Sequence, residues 1–142
     1  MSQAAAAPQT APFSVSPLTP TIGAEIGGID LSKPVDGAML ASLREALLEW
    51  KVIFFRDQEL TPEEHISFAR RWGEIDINKF FPANVRYPEI AEVRKEKEQK
   101  VNIGGGWHTD HSYDAEPAMG SILVARELPE TGGDTLFADM YK

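Results

Sequence analysis

The chain has 142 residues, 42% of them hydrophobic and 25% charged, the size and balance of one soluble globular core. Acidic residues outnumber basic ones 22 to 14, and the net charge of −8 is wrong for gripping nucleic-acid phosphates or an anionic membrane. The absence of cysteine excludes disulfides, thiolate metal sites and a cysteine nucleophile, and no apolar run nears the roughly 20 residues that cross a bilayer.

Residues 1–12 (from Ser2 on, SQAAAAPQTAP) are low in complexity and offer nothing to bury, so a disordered tail is expected. No Lys or Arg precedes this segment and no apolar core follows, unlike a secretory leader, so the expected location is the cytoplasm. Val15 and Leu18 suggest a short strand, and Thr21 to Ile26 a second, before the Gly27-Gly28 turn. Leu40, Leu43, Leu47 and Trp50 recur on one face of a helix over about 37–50, with Asp36 as its N-cap. Val52-Ile53-Phe54-Phe55 reads as a buried strand.

Thr61-Pro62-Glu63-Glu64 predicts a helix start with a capping box, and Gly73 predicts its end. Ile66, Ala69 and Trp72 mark its apolar face, with Phe68 beside it. From Glu74 to Gly106 periodicity fades, as in a binding loop, a lid or a solvated hairpin. AMGSILVA (118–125) and DTLFA (134–138) then read as strands around a Pro129–Gly133 turn. The order predicts an α+β fold with two helices packed on a sheet.

Chemistry concentrates in Trp107-His108-Thr109-Asp110-His111, which holds two of the three histidines. On extended backbone His108 and Asp110 point to the same side, so an imidazole nitrogen and a carboxylate oxygen can take adjacent positions on one metal ion. A further histidine would complete the facial triad that leaves Fe(II) open on its other face. His-x-Asp alone is a weak signal, equally compatible with a surface histidine bonded to a carboxylate. His111 points the other way and is expected at the surface or behind the ligands.

Several blocks in order make the case more specific: IGAEIGGIDL (22–31), VIFFRDQ (52–58), FARRWGE (68–74), GWHTD (106–110) and ELPETGGDTLFADM (127–140). Together they resemble the taurine dioxygenase family of Fe(II)- and 2-oxoglutarate-dependent oxygenases. The resemblance implies a jelly roll, the cupin-like double-stranded β-helix, of which residues 13–142 are the N-terminal half. It implies His108 and Asp110 as catalytic iron ligands and Thr135 as a holder of the 2-oxoglutarate carboxylate. Trp107 would pack the metal pocket or the core. Asn78, Phe81 and Gly104 fall where the family binds substrate. Sulfonate users have histidine, tyrosine and asparagine there, so an apolar ring and a glycine argue against taurine, since a buried sulfonate without partners is costly.

The implied reaction consumes dioxygen and 2-oxoglutarate and hydroxylates a small organic substrate, with release of succinate and carbon dioxide. No histidine follows His111 and no arginine follows Arg126. The distal iron ligand and the arginine for the far carboxylate of 2-oxoglutarate are therefore expected in sequence beyond these residues, and the piece alone is expected to hold iron weakly. A Zn(II) hydrolase using the same pair and a non-catalytic cupin-like binding module are the competing readings. A homo-oligomer is compatible with all three.

Overall fold

The computed structural model describes residues 12–81 and 84–141. The expected tail lies outside the described residues except for Pro12. The chain forms two compact units, one from Met1–Glu59 with Leu128–Lys142 and one from Leu60–Glu127.

The first unit holds a three-stranded sheet and one helix. Strands β1 (Ser14–Pro17) and β2 (Ala24–Gly27) pair antiparallel, Ser14 opposite Gly27 and Pro17 opposite Ala24. The intervening turn is built by Thr19, whose hydroxyl accepts from the Ile22 amide at 3.0 Å, and by Gly23, whose φ of 86° suits glycine. A Cβ at Gly27 would stand 2.7 Å from Ser14 Oγ, so any larger residue there would turn that hydroxyl aside.

Helix α1 (Gly37–Trp50) begins where the Asp36 carboxylate accepts from the Met39 amide at 2.8 Å. It ends at Lys51, which turns left-handed (φ 64°) and donates its amide to Leu47 O at 2.6 Å. The chain then enters β3 (Ile53–Phe55), parallel to β2 with Ala24 opposite Ile53, in the sheet order β1-β2-β3. Leu43 and Ala46 are buried from α1, and Phe13, Ala24, Ile26, Leu31 and Val35 complete the core of this unit. The side chain of Gln58 fastens the segment before α1, accepting from the Leu31 amide at 2.8 Å and donating to Ile29 O at 3.1 Å.

The second unit is organised by α2 (Pro62–Trp72). The predicted capping box is present: Thr61 Oγ1 accepts from the Glu64 amide at 3.2 Å, and Glu64 accepts from the Thr61 amide at 2.8 Å. Glu63 and Glu64 in the first turn and Arg70 and Arg71 in the last complement the helix dipole. Ile66 and Phe68 are buried, and Trp72 meets Phe68 edge-on at 6.0 Å. Gly73 ends the helix on extended backbone (φ 167°), without a left-handed turn.

Two expectations about strands are corrected. Residues 118–125 and 134–138 are not strands, because a strand needs a hydrogen-bonded neighbour and neither has one among the described residues. Residues 121–125 do keep a two-residue alternation: Ile122 and Val124 are half-buried, while Leu123 is 75% exposed. Similarly, β3 is half-buried rather than buried, since it is the edge strand of a narrow sheet. The observed architecture is thus α+β, with three strands and two helices.

Side chains of the second unit tie residues 121–126 to α2. His65 Nε2 donates to Ile122 O at 3.1 Å, and an Arg126 guanidinium N–H donates to Leu60 O. Burial is the main cause that holds the His65 pKa below its ordinary 6.5, with the Arg126 charge adding to it and the bond to Ile122 opposing. The unfolded chain therefore takes up the proton first. The stability that His65 contributes is fully present above pH 6.5, falls below it and is lost as pH drops through the lower folded-state value. Urea unfolding at pH 7.5 and pH 5.5 is expected to show the loss, and His65→Gln is expected to flatten the dependence.

Candidate metal centre

The loop after the Gly104-Gly105-Gly106 run carries His108 and Asp110, both exposed. His108 Nδ1 lies 2.8 Å from Gly106 O, so this nitrogen bears the hydrogen and donates it. The lone pair is then on Nε2, which faces Asp110 Oδ1 at 3.2 Å. Two electron-rich atoms so close call for a cation between them, either a proton or a metal ion. Two donors each about 2.1 Å from one ion sit at about this separation. A backbone carbonyl behind Nδ1 is the usual way a metal-binding imidazole is oriented. Asp110 Oδ2 is in turn reached by Ser121 Oγ at 3.5 Å. The pair therefore fits a divalent ion bound through nitrogen and oxygen.

The loop differs from the predicted extended strand. Residues 108–110 belong to no strand, and His111 has φ 51°. His108 and Asp110 converge nonetheless, because the Gly106 carbonyl fixes the ring. Gly104 (φ 68°) lies directly against that ring: a Cβ there would stand 3.2 Å from His108 Cε1. Its visible role is to leave room for the imidazole. Trp107, expected in a pocket or core, is 72% exposed.

Asn78 organises the segment before the loop. Its Oδ1 accepts from the amides of Phe80 and Phe81 at 2.8 and 3.1 Å, and its Nδ2 lies 3.3 Å from His111 Nε2. Phe81 is half-buried. His111 is half-buried rather than at the surface: Nδ1 bonds Asp114 Oδ2 at 3.0 Å, with the Phe80 and Tyr113 rings at 5.5 and 5.9 Å. Asp76, His111 and Asp114 bring one donor atom each within 4.8 Å of one another. Sequence reasoning missed Asp76 and Asp114; the three-residue spacing from His111 to Asp114 was the available signal. Thr135 is exposed and belongs to the other unit, two residues beyond Gly132-Gly133, both at φ 76°.

Comparison with known proteins supplies the wider context. The profile of the family described as "Taurine catabolism dioxygenase TauD, TfdA family" matches residues 14–142. The chain is 36% identical over 131 residues to the (S)-phenoxypropionate/alpha-ketoglutarate-dioxygenase of Sphingobium herbicidovorans, covering 90% of this chain and 45% of that protein. It is 41% identical over 124 residues to an alkylsulfatase of Acinetobacter baylyi, covering 86% of this chain and 38% of the relative. A crystal structure of a taurine dioxygenase from Burkholderia xenovorans superposes with a TM-score of 0.63 at 36% identity, over 74% of this chain and 37% of the other. The chain spans less than half the length of these relatives. With the family profile matched along nearly its whole length, the chain belongs to the TauD/TfdA dioxygenase family.

Proposed function

We propose that the complete polypeptide is an Fe(II)- and 2-oxoglutarate-dependent dioxygenase that hydroxylates a small organic substrate and releases succinate and carbon dioxide. The carrying observation is the His108 Nε2–Asp110 Oδ1 approach of 3.2 Å, with His108 Nδ1 anchored to Gly106 O. In this reading His108 and Asp110 hold the iron. Bound iron, with 2-oxoglutarate and dioxygen, supplies the oxidising chemistry. The third protein ligand and the arginine for the cosubstrate come from sequence outside these residues, which form part of one double-stranded β-helix domain.

The chain's own residues supply orientation. The Gly106 carbonyl fixes the imidazole tautomer, and Gly104 leaves the ring its place. The Thr135 hydroxyl donates to a carboxylate oxygen of 2-oxoglutarate. Asn78 and Phe81 line the substrate side, where an aromatic ring and a neutral amide suit a small organic acid with an apolar body better than taurine. The (S)-phenoxypropionate named for one relative has this character. Among the described residues no helix is long and apolar enough to cross a membrane. We place the enzyme in the cytoplasm, where a reducing milieu keeps iron ferrous.

The test is succinate release by the complete polypeptide with aryloxy acids, alkyl sulfates and taurine, with and without oxygen. Turnover that requires Fe(II), 2-oxoglutarate and oxygen is expected, with taurine a poor substrate. Substrate hydrolysis under anaerobic conditions without 2-oxoglutarate would instead establish a hydrolase.

A further inference from the structure

We propose that Asp76, His111 and Asp114 form a second divalent-cation site, separate from the His108–Asp110 pair. Their donor atoms all lie within 4.8 Å of one another, and His111 Nδ1 and Asp114 Oδ2 are already 3.0 Å apart. Two ligands about 2.1 Å from one octahedral ion are separated by about 3 Å, so only Asp76 has to move inward, and it is exposed and free to do so.

The imidazole sets this cluster apart from an ordinary group of surface carboxylates. His111 is half-buried, and the rings of Phe80 and Tyr113 lie 5.5 and 5.9 Å from its own. The left-handed backbone at His111 (φ 51°) gives it a course distinct from that of the residues before it. Ligation at Nδ1 leaves the ring hydrogen on Nε2. The Asn78 Nδ2, which now stands 3.3 Å away, then draws back from that hydrogen, while Asn78 Oδ1 keeps the Phe80 and Phe81 amides.

One nitrogen and two carboxylate oxygens, with water completing the shell, suit Mn(II), Fe(II) or Zn(II) better than Ca(II) or a soft ion. Such an ion would join the Asp76–Phe81 segment to the loop that carries His108 and Asp110. The site is independent of the proposed catalytic iron, and its test is binding rather than turnover.

The experiment titrates the metal-free chain with Mn(II), reading free ion by electron paramagnetic resonance. The double variant His108→Ala/Asp110→Asn is expected to retain one Mn(II) per chain. His111→Gln, Asp114→Asn and Asp76→Asn are each expected to weaken that binding at least about tenfold. Asp76 is exposed, so its variant reports on the site even where His111→Gln unfolds; circular dichroism monitors the fold. Absence of Mn(II) binding by the double variant would overturn the proposal, as would affinity unchanged in both Asp76→Asn and His111→Gln.

Discussion

Replacing His108 with alanine is expected to lower Fe(II) affinity and Fe(II)-dependent succinate release of the complete polypeptide by about 100-fold or more. Loss of a group that merely orients a metal ligand already costs about 10–100-fold, and in the proposed function His108 supplies the donor nitrogen itself. Asp110→Asn is expected to behave similarly, because it removes the charge that faces Nε2 at 3.2 Å. Ser121→Ala should cost far less, since the Ser121 Oγ contact to Asp110 is a loose 3.5 Å. Ferrous binding followed by calorimetry under nitrogen, alongside the succinate assay, distinguishes the three. A His108→Ala protein with undiminished iron affinity and turnover would place the catalytic metal elsewhere.

The second large effect is on stability. Leu43 is fully buried in α1, at the centre of the first unit. Leu43→Ala is expected to reduce the free energy of unfolding by about 2–5 kcal/mol, combining lost transfer energy with a residual cavity. Leu48 lies five residues further along the same helix and is 80% exposed. Leu48→Ala is expected to change stability by no more than about 0.5 kcal/mol. Urea denaturation of both variants gives the comparison directly. Equal losses would mean that the helix buries a different face.

The helices were legible because their signals are local. Asp36 and the Thr61–Glu64 box act within one turn of themselves, and the Leu43 face follows from a 3.6-residue repeat. The approach of His108 to Asp110 was anticipated from their spacing, although the extended backbone expected to produce it is a loop. Strands at 118–125 and 134–138 were overread: their apolar composition suits a sheet, but a strand is completed by a partner that sequence composition does not reveal. Ile122 and Val124 are half-buried and Leu123 is exposed, so one side of this segment is covered although it is no strand. The approach of Asn78 to His111 spans 33 residues, and that of His65 to Ile122 spans 57. No periodicity encodes such contacts, and so the half-buried state of His111 escaped the sequence.

The parallel pairing of β2 with β3 has a consequence for how the protein is made. The two strands are joined through α1 alone, and the last residue of the unit formed by β2, α1 and β3 is Phe55. The consecutive amides of Gly23 and Ala24 are committed within this stretch, to Trp50 O and Val52 O. Loop closure over so short a segment costs little entropy. This strand–helix–strand stretch can therefore pair as it emerges from the ribosome, while the loop that carries His108 and Asp110 is still being translated and before Leu128–Lys142 completes the compact unit. Domains commonly fold in this order, N-terminal part first. The nascent chain would then present its paired strands before it presents His108, the first of the proposed iron ligands.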